Sequence, residues 1–202
     1  MIIPSDSKMA LMGIDSADAG DVTDDAKQYY AAIPEGYRSG FGAEGAAAIK
    51  KFVENGGRLL AIDRACDFAI DACGLRVTNA AKGVPGSQYR THGSTFNTIV
   101  DVSDPIAYGM PEKAVLLQWD APILDIGEKL NAENYTTVVR YPKDRLLVSG
   151  ALDGEKYMAG KAALVKVKLK AGEVVLYGFS PAFRAQVHGT FKLLFNALYG
   201  EG

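Results

Sequence analysis

Two loops of this sequence carry reactive side chains at places where α/β proteins bind ligands. Residues 59–62 form a continuous apolar run, which is typical of a central parallel strand, and the polar segment 63–66 follows directly. A second β-rich run over residues 173–179 is followed by the loop 180–188. Ligands of open α/β sheets bind beyond the C-terminal ends of the strands. We therefore expect any functional site to lie in these two loops.

The first loop occupies the position of a nucleophile elbow, a sharp turn between a strand and a helix. Asp63 stands at its tip, where it could act as a nucleophile or could cap the helix that follows. Cys66 lies one turn further on. A helix N-terminus and the neighbouring Arg64 would lower the pKa of its thiol, whereas a buried thiol would be inert. Asp63 and Cys66 are therefore catalytic candidates, and Arg64 is a ligand-binding candidate.

The second loop contributes Arg184 and His188. A helix N-terminus would hold His188 neutral, which suits a general base, although a local hydrogen bond is the simpler role. Arg184 could bind an anion at the same helix end or pair with a carboxylate. The only other histidine is His92, and neither histidine begins a His-x-x-Glu pair. We therefore expect no metal site and no cofactor, and keep Arg184 and His188 as ligand-binding candidates, with His188 also a catalytic one.

Composition narrows the class of protein. The chain has 202 residues and a formal net charge of -2, so it has no basic surplus that would attract nucleic acid. No apolar run approaches the roughly 18 residues that cross a bilayer. On one helix Cys66 and Cys73 would lie about 10 Å apart, too far for a disulfide. Without a repeat or a low-complexity linker, residues 1–202 are predicted to form a single domain.

Apolar periodicity predicts the elements that position the two loops. Helices are expected over residues 42–54, 65–73 and from 191 onwards, and strands over 59–62, 98–102, 114–118, 136–141, 162–169 and 173–179. Residues 83–93 are predicted to be an irregular loop, and the acidic stretch 15–25 a solvated one. The alternation of helix, short turn and buried strand favours a flavodoxin-like α/β fold, with a mostly parallel sheet and helices on both faces.

Several motifs also resemble known proteins. The stretches PEGYRSG (34–40) and DPIAYGMP (104–111) are similar to the glutamine amidotransferase-like superfamily. Five further stretches resemble a narrower group, the bacterial zinc peptidases of the carboxypeptidase A type. In these proteins such a domain follows the peptidase domain and forms the C-terminal region. The stretches are RYP (140–142), LVSG (147–150), AGKAALV (159–165), GFSPAFRAQ (178–186) and HGTFKLLFNAL (188–198).

This resemblance implies an exported bacterial protein, periplasmic or secreted, whose zinc and general base belong to another domain. Its partner would be that peptidase domain, or a peptide or glycan substrate. The amidotransferase cysteine position holds Asp63, which argues against glutamine hydrolysis. The first strand and helix of the superfamily would precede Ile2 in this sequence, so the fold is expected to lack that unit.

We therefore predict a non-catalytic accessory domain of a zinc carboxypeptidase-like protein, which packs on the peptidase domain or binds substrate. The competing hypothesis is a small hydrolase or amidotransferase-like enzyme that uses Asp63, Cys66 and His188, which would have to converge. A third is a sugar- or ligand-binding module that uses the loop 83–93, with a pocket lined by Tyr89 and Trp119.

Overall fold

The computed structural model describes residues 1–14, 39–127 and 134–200. The acidic stretch 15–25 and most of the motif 34–40 lie outside these residues. Four helices are described: α1 (Lys8–Met12), α2 (Gly42–Glu54), α3 (Ala65–Cys73) and α4 (Phe191–Tyr199). The ten strands are β1 (Ile2–Ile3), β2 (Arg58–Ile62), β3 (Thr78–Asn79), β4 (Ser94–Val100), β5 (Lys113–Gln118), β6 (Leu124–Asp125), β7 (Tyr135–Arg140), β8 (Leu147–Ser149), β9 (Ala162–Leu169) and β10 (Gly172–Tyr177).

These bounds confirm the elements that the apolar pattern predicts. Helices α2 and α3 span the predicted residues, and α4 begins at the predicted residue. Strand β4 begins four residues before the predicted strand at 98–102 and ends two residues earlier. The loop 83–93 has neither helix nor strand and is joined to the rest by an isolated bridge from Arg90 to Asp153. Among the described residues, no helix is long and apolar enough to cross a membrane.

The sheet is mixed, and the prediction of a mostly parallel sheet is wrong. Its main path runs β1-β2-β10-β9-β7-β4-β5, with β8 beside β4 and with β6 linking β9 to β3. Among the described strands, only β1–β2 and β2–β10 pair in parallel. The others pair antiparallel; between β9 and β10 a short turn reverses the chain without a crossover.

Helices cover both faces of the sheet, as predicted. On one face α1, α2 and α3 pack over Leu59 and Ala61 of β2. On the other face α4 packs with the neighbouring residue Leu60. Both sides of β2 are therefore buried, which is why residues 59–62 read as an unbroken apolar run. The central strands thus hold the turn after β2 between two packed layers.

The backbone approaches itself most closely where β10 begins. A Cβ atom added to Gly172 would lie 2.0 Å from the carbonyl oxygen of Val53 and 2.4 Å from that of Gly57. Both neighbours are backbone atoms, one in the last turn of α2 and one in the α2–β2 connection, so they cannot move aside as a flexible side chain would. Glycine at this position therefore sets how closely the β9–β10 hairpin approaches β2.

We predict that Gly172→Ala lowers the free energy of unfolding by at least about 2 kcal/mol, a fall in Tm of about 4–8 °C in a domain of this size. Thermal unfolding of the full chain measures the effect. Gly86→Ala is the matched control, because a Cβ atom there meets open space. Equal Tm values for the two variants would contradict the account of this contact.

Candidate functional site

The chain turns sharply from β2 into α3 at Asp63. Its φ of 58° is left-handed, a conformation that non-glycine residues adopt at a cost of about 1–3 kcal/mol. The backbone N–H of Asp63 donates to the carbonyl of Tyr177 at 2.8 Å, and the N–H of Cys66 donates to the carbonyl of Asp63 at 3.0 Å. The turn is thus fixed to β10 on one side and to α3 on the other. Asp63 stands at the C-terminal ends of the parallel strands.

Asp63 opens into a cleft of about 360 Å³, which we call the Asp63 cleft. Four separate segments build it: the turn after β1, the turn after β2, the end of β5 and the loop after β10. Its lining residues are Ser5, Asp63, Arg64, Leu117, Trp119, Asp120, Ser180, Phe183 and Arg184. The structure thus brings Asp63, Arg64 and Arg184 together from distant parts of the sequence.

Backbone strain is concentrated around this cleft. Besides Asp63, left-handed φ values are found at Asp120 (53°), Arg184 (48°) and Ala185 (53°). The strained turn at Asp120 is held by its N–H, which donates to the hydroxyl of Thr91 at 3.3 Å. Non-glycine residues rarely adopt this conformation, and such residues cluster where the position of a side chain matters for function.

The carboxyl group of Asp63 is not fully satisfied. Its Oδ1 is buried and accepts no hydrogen bond from any described residue. Burial raises the pKa of this carboxyl, a nearby Asp120 raises it further, and a hydrogen bond with the Ser5 side chain and the charge of Arg64 partly offset the rise. Arg64, not Asp63, occupies the N-cap position of α3, and a hydrogen bond from its backbone to the Asp63 carboxyl also lowers the pKa of that group. Asp63 lines the cleft, and a buried acceptor without a donor is rare enough in folded proteins to call for an explanation.

Two arginines and two aromatic rings complete the lining. Neither Arg64 nor Arg184 forms an ion pair or a side-chain hydrogen bond with a described residue. The guanidinium group of Arg184 lies 5.2 Å from the centre of the Phe183 ring. The rings of Trp119 and Phe183 are 5.8 Å apart and tilted by 58°. Trp119 is 52% exposed although it is large and apolar. The cleft therefore combines positive charge with an accessible aromatic surface.

Cys66 is sequestered below the turn. Its side chain is fully buried, and its Sγ donates to the carbonyls of Tyr177 at 3.2 Å and of Ala61 at 3.4 Å. Burial raises the pKa of this thiol well above its usual value, with the nearby Asp67 and Asp63 charges adding to the rise. The predicted lowering of its pKa is therefore wrong, because the thiol faces the core and not the cleft. Cys73 is also free and buried.

Neither histidine is among the described residues that line the cleft. His188 is exposed, and its ring lies 5.4 Å from the ring of Phe191. The Nε2 of His92 lies 3.0 Å from a carboxylate oxygen of Asp153. Within the described ranges, no three metal-ligating side chains cluster. The combination of Asp63, Cys66 and His188 that the competing hypothesis requires is therefore not assembled at this cleft.

Sequence reasoning did not single out several residues of the cleft. Asp120, Ser180 and Phe183 come from loops that only the folded sheet brings beside Asp63. Tyr89, which was proposed to share a pocket with Trp119, packs edge-on against Tyr157 and does not line the cleft. Residues 119–120 could have been proposed as site residues, because they directly follow a predicted strand, just as Asp63 directly follows β2.

A second, larger cavity of about 670 Å³ lies between β4, β6, β7 and the start of β9. Arg140, Lys143 and Lys161 line it, but Lys161 pairs with Asp125. Among its described lining residues none is a left-handed non-glycine residue, in contrast to the Asp63 cleft. This second cavity provides matched control positions for experiments on the cleft.

We predict that Asp63→Asn stabilises the chain at neutral pH. The pKa of Asp63 is higher in the folded state than in the unfolded state, so folding disfavours its charged form and costs free energy. Below about pH 3 the carboxyl is protonated in both states and this free-energy cost is absent. The cost develops as the pH rises from the ordinary pKa through the folded pKa. Asparagine carries no charge and tolerates a left-handed φ. Tm should rise by about 2–4 °C at pH 7 and by much less near pH 3.

Thermal unfolding at both pH values tests this prediction. The control is Asp144→Asn, whose side chain is 84% exposed and which should leave Tm unchanged at either pH. A loss of stability in Asp63→Asn that is equal at both pH values would mean that the carboxylate is a structural hydrogen-bond acceptor and would contradict the prediction.

No protein-family profile matches this chain, and no curated protein matches it. Among solved structures, a cytoplasmic protein of Salmonella typhimurium is 13% identical, with a TM-score of 0.50 over 98% of this chain and 69% of its own. A ThuA-like protein of Parabacteroides merdae is 12% identical (TM-score 0.49, 80% of this chain, 66% of its own). A GMP synthase-like protein of Thermoplasma acidophilum is 12% identical (TM-score 0.48, 77% of this chain, 63% of its own).

This chain thus spans slightly less than two thirds of the last two structures. The likeness to the Salmonella protein, together with the mixed sheet between two helical layers, supports an α/β flavodoxin-like fold. At this level of identity the likeness extends to the fold alone. Any function must therefore be argued from the residues of the cleft.

Proposed function

We propose that this chain is a ligand-binding domain, and that the Asp63 cleft is where it binds a small polar ligand. The observation that carries the proposal is the buried, unpaired Oδ1 of Asp63, held by a strained turn at the wall of a cleft. A fold maintains such a group at a cost unless something compensates for it. A ligand that donates a hydrogen bond to Asp63 supplies that compensation.

Binding accounts for the cleft better than covalent catalysis does. A serine nucleophile needs a base within hydrogen-bond reach, and among the described residues no histidine or lysine side chain lines the cleft beside Ser5 and Ser180. Cys66, the other nucleophile of the turn, faces the core with a raised pKa. What the lining provides is a set of recognition groups: two guanidinium groups, two carboxyl groups, two hydroxyls and an aromatic pair.

A thermal-shift panel tests this proposal, because a ligand that binds only the folded state raises Tm. The compounds are neutral hexoses, hexuronates, free amino acids and dipeptides, each added to the full chain. We expect at least one class to raise Tm, and we expect the rise to disappear in Asp63→Asn and Arg184→Gln. The matched control, Lys143→Gln in the second cavity, should retain it.

Two results would refute the binding proposal. One is a panel in which no compound raises Tm. The other is a rise that persists in both cleft variants but disappears in Lys143→Gln, which would move the binding site to the second cavity.

We further propose that this domain is an accessory part of a zinc carboxypeptidase-like protein. Support comes from the resemblance of residues 140–198 to the C-terminal region of such peptidases. The coding sequence around this chain tests the proposal. We expect an upstream segment in the same frame that encodes His-x-x-Glu and a later histidine; a stop codon directly before Met1 would contradict it.

A further inference from the structure

We infer that the ligand of the Asp63 cleft is an acidic sugar of the hexuronate class, bound as a single ring through its carboxylate, its hydroxyls and its apolar face. This inference rests on the proposed function, because it names the chemistry of the ligand that the cleft would bind. Three independent features of the lining support it: the arginine pair, the dispersed hydrogen-bonding groups and the aromatic surface.

The arginine pair indicates that the ligand carries an anionic group. Arg64 and Arg184 line the same cleft but come from different loops, and neither is neutralised by an ion pair with a described residue. Guanidinium groups bind carboxylates and phosphates through charge-assisted, often bidentate hydrogen bonds. The second of these arginines is held by strained backbone at φ 48°, which fixes the loop that presents it.

The carboxyl groups of the cleft favour an anion that carries a single charge. Asp63 and Asp120 share the cleft with the arginines, and the charge of Asp120 already raises the pKa of Asp63. A dianionic phosphate would meet both carboxylates at close range, whereas a carboxylate brings a single charge. The charge balance of the lining therefore favours a monoanion that also carries hydrogen-bond donors.

The other polar groups of the cleft indicate that the ligand carries several hydrogen-bond donors. Ser5, Asp63, Asp120 and Ser180 lie on four different segments around the cleft. The single ammonium group of an amino acid can reach only one part of this lining, but the hydroxyls of a sugar project in several directions. A polyhydroxylated ligand can thus hydrogen-bond to several walls of the cleft at once.

The aromatic surface suits the apolar face of a sugar ring. Trp119 is 52% exposed and lies beside Phe183, with 5.8 Å between the ring centres. The face of an indole carries partial negative charge, which attracts the electropositive C–H groups on one side of a pyranose. An exposed tryptophan beside the charged and hydroxyl groups of the cleft is therefore placed to stack with a ligand ring.

Trp119 is the only tryptophan of the chain, so its fluorescence reports directly on the cleft. We propose to titrate the full chain with sodium D-glucuronate, with D-glucose, which lacks the carboxylate, and with cyclohexanecarboxylate, which lacks the hydroxyls. Glucuronate should change the Trp119 emission in a saturable way. Its apparent affinity should exceed that of either analogue by at least about 10-fold, since one charge-assisted hydrogen bond is worth that much.

Substitutions test whether the arginines of the cleft bind the carboxylate of the ligand. Arg184→Gln should weaken glucuronate binding by about 10-fold or more and leave any weak glucose binding unchanged. The control is Arg145→Gln, whose side chain is 93% exposed and lies outside the cleft; it should leave both titrations unchanged.

The outcomes separate this inference from the proposed function. An analogue that binds as tightly as glucuronate, or a free amino acid that binds more tightly, would overturn the acidic-sugar assignment. Either result would still support the proposed function, because a ligand would bind beside Trp119. Glucuronate binding that Arg184→Gln does not weaken would overturn it as well. If no compound of the titration or of the thermal-shift panel is bound, the proposed function fails too.

Discussion

The carbonyl oxygen of Tyr177 is the acceptor on which the geometry of the site depends. It accepts the backbone N–H of Asp63 at 2.8 Å, which extends the parallel pairing of β2 and β10 one residue beyond β2. It also accepts a hydrogen bond from the thiol of Cys66, whose Sγ lies 3.2 Å away. At the other end of the same residue, the Tyr177 hydroxyl donates to the carbonyl of Leu193 in α4 at 2.9 Å. One strand-end residue thus links the turn, the core and the opposite helical layer.

This arrangement determines which side chain of the turn meets solvent. The turn with left-handed φ places Asp63 in the wall of the cleft, while the thiol of Cys66 is held against the two strands below. The fold therefore presents an acid where a nucleophile elbow would present its nucleophile. Burial, a raised pKa and one oxygen that accepts no hydrogen bond from a described residue make this carboxyl a candidate recognition group.

Local patterns in the sequence predicted the elements of the fold well. The bounds of α2 and α3 follow from apolar spacing and from glycine at their ends; Gly74, with a φ of 67°, ends α3. Strand direction was not predictable in the same way, because the first half of the antiparallel strand β9, residues 162–165, has the same continuous apolar pattern as a parallel strand. The short connection between β9 and β10 was the better guide for that pair, and it favoured antiparallel pairing.

The candidate site was only partly predictable for a related reason. Asp63, Arg64 and Arg184 could be proposed because each follows a strand end, and the rule for α/β sheets applies to any such position. The contribution of Asp120 and Phe183 depends on contacts between segments that are far apart in sequence. The burial of Cys66 likewise depends on β10, more than 100 residues further along the chain.

Chemical-shift mapping by NMR tests the central claim, that the turn after β2 and its cleft form the ligand site. The single indole N–H of Trp119 and the backbone amides of Asp63, Arg64 and Arg184 can be followed while sodium D-glucuronate is added. The account predicts saturable shifts concentrated at these four residues. Shifts concentrated instead around Arg140 and Lys161 of the second cavity, or no saturable shift anywhere, would contradict it.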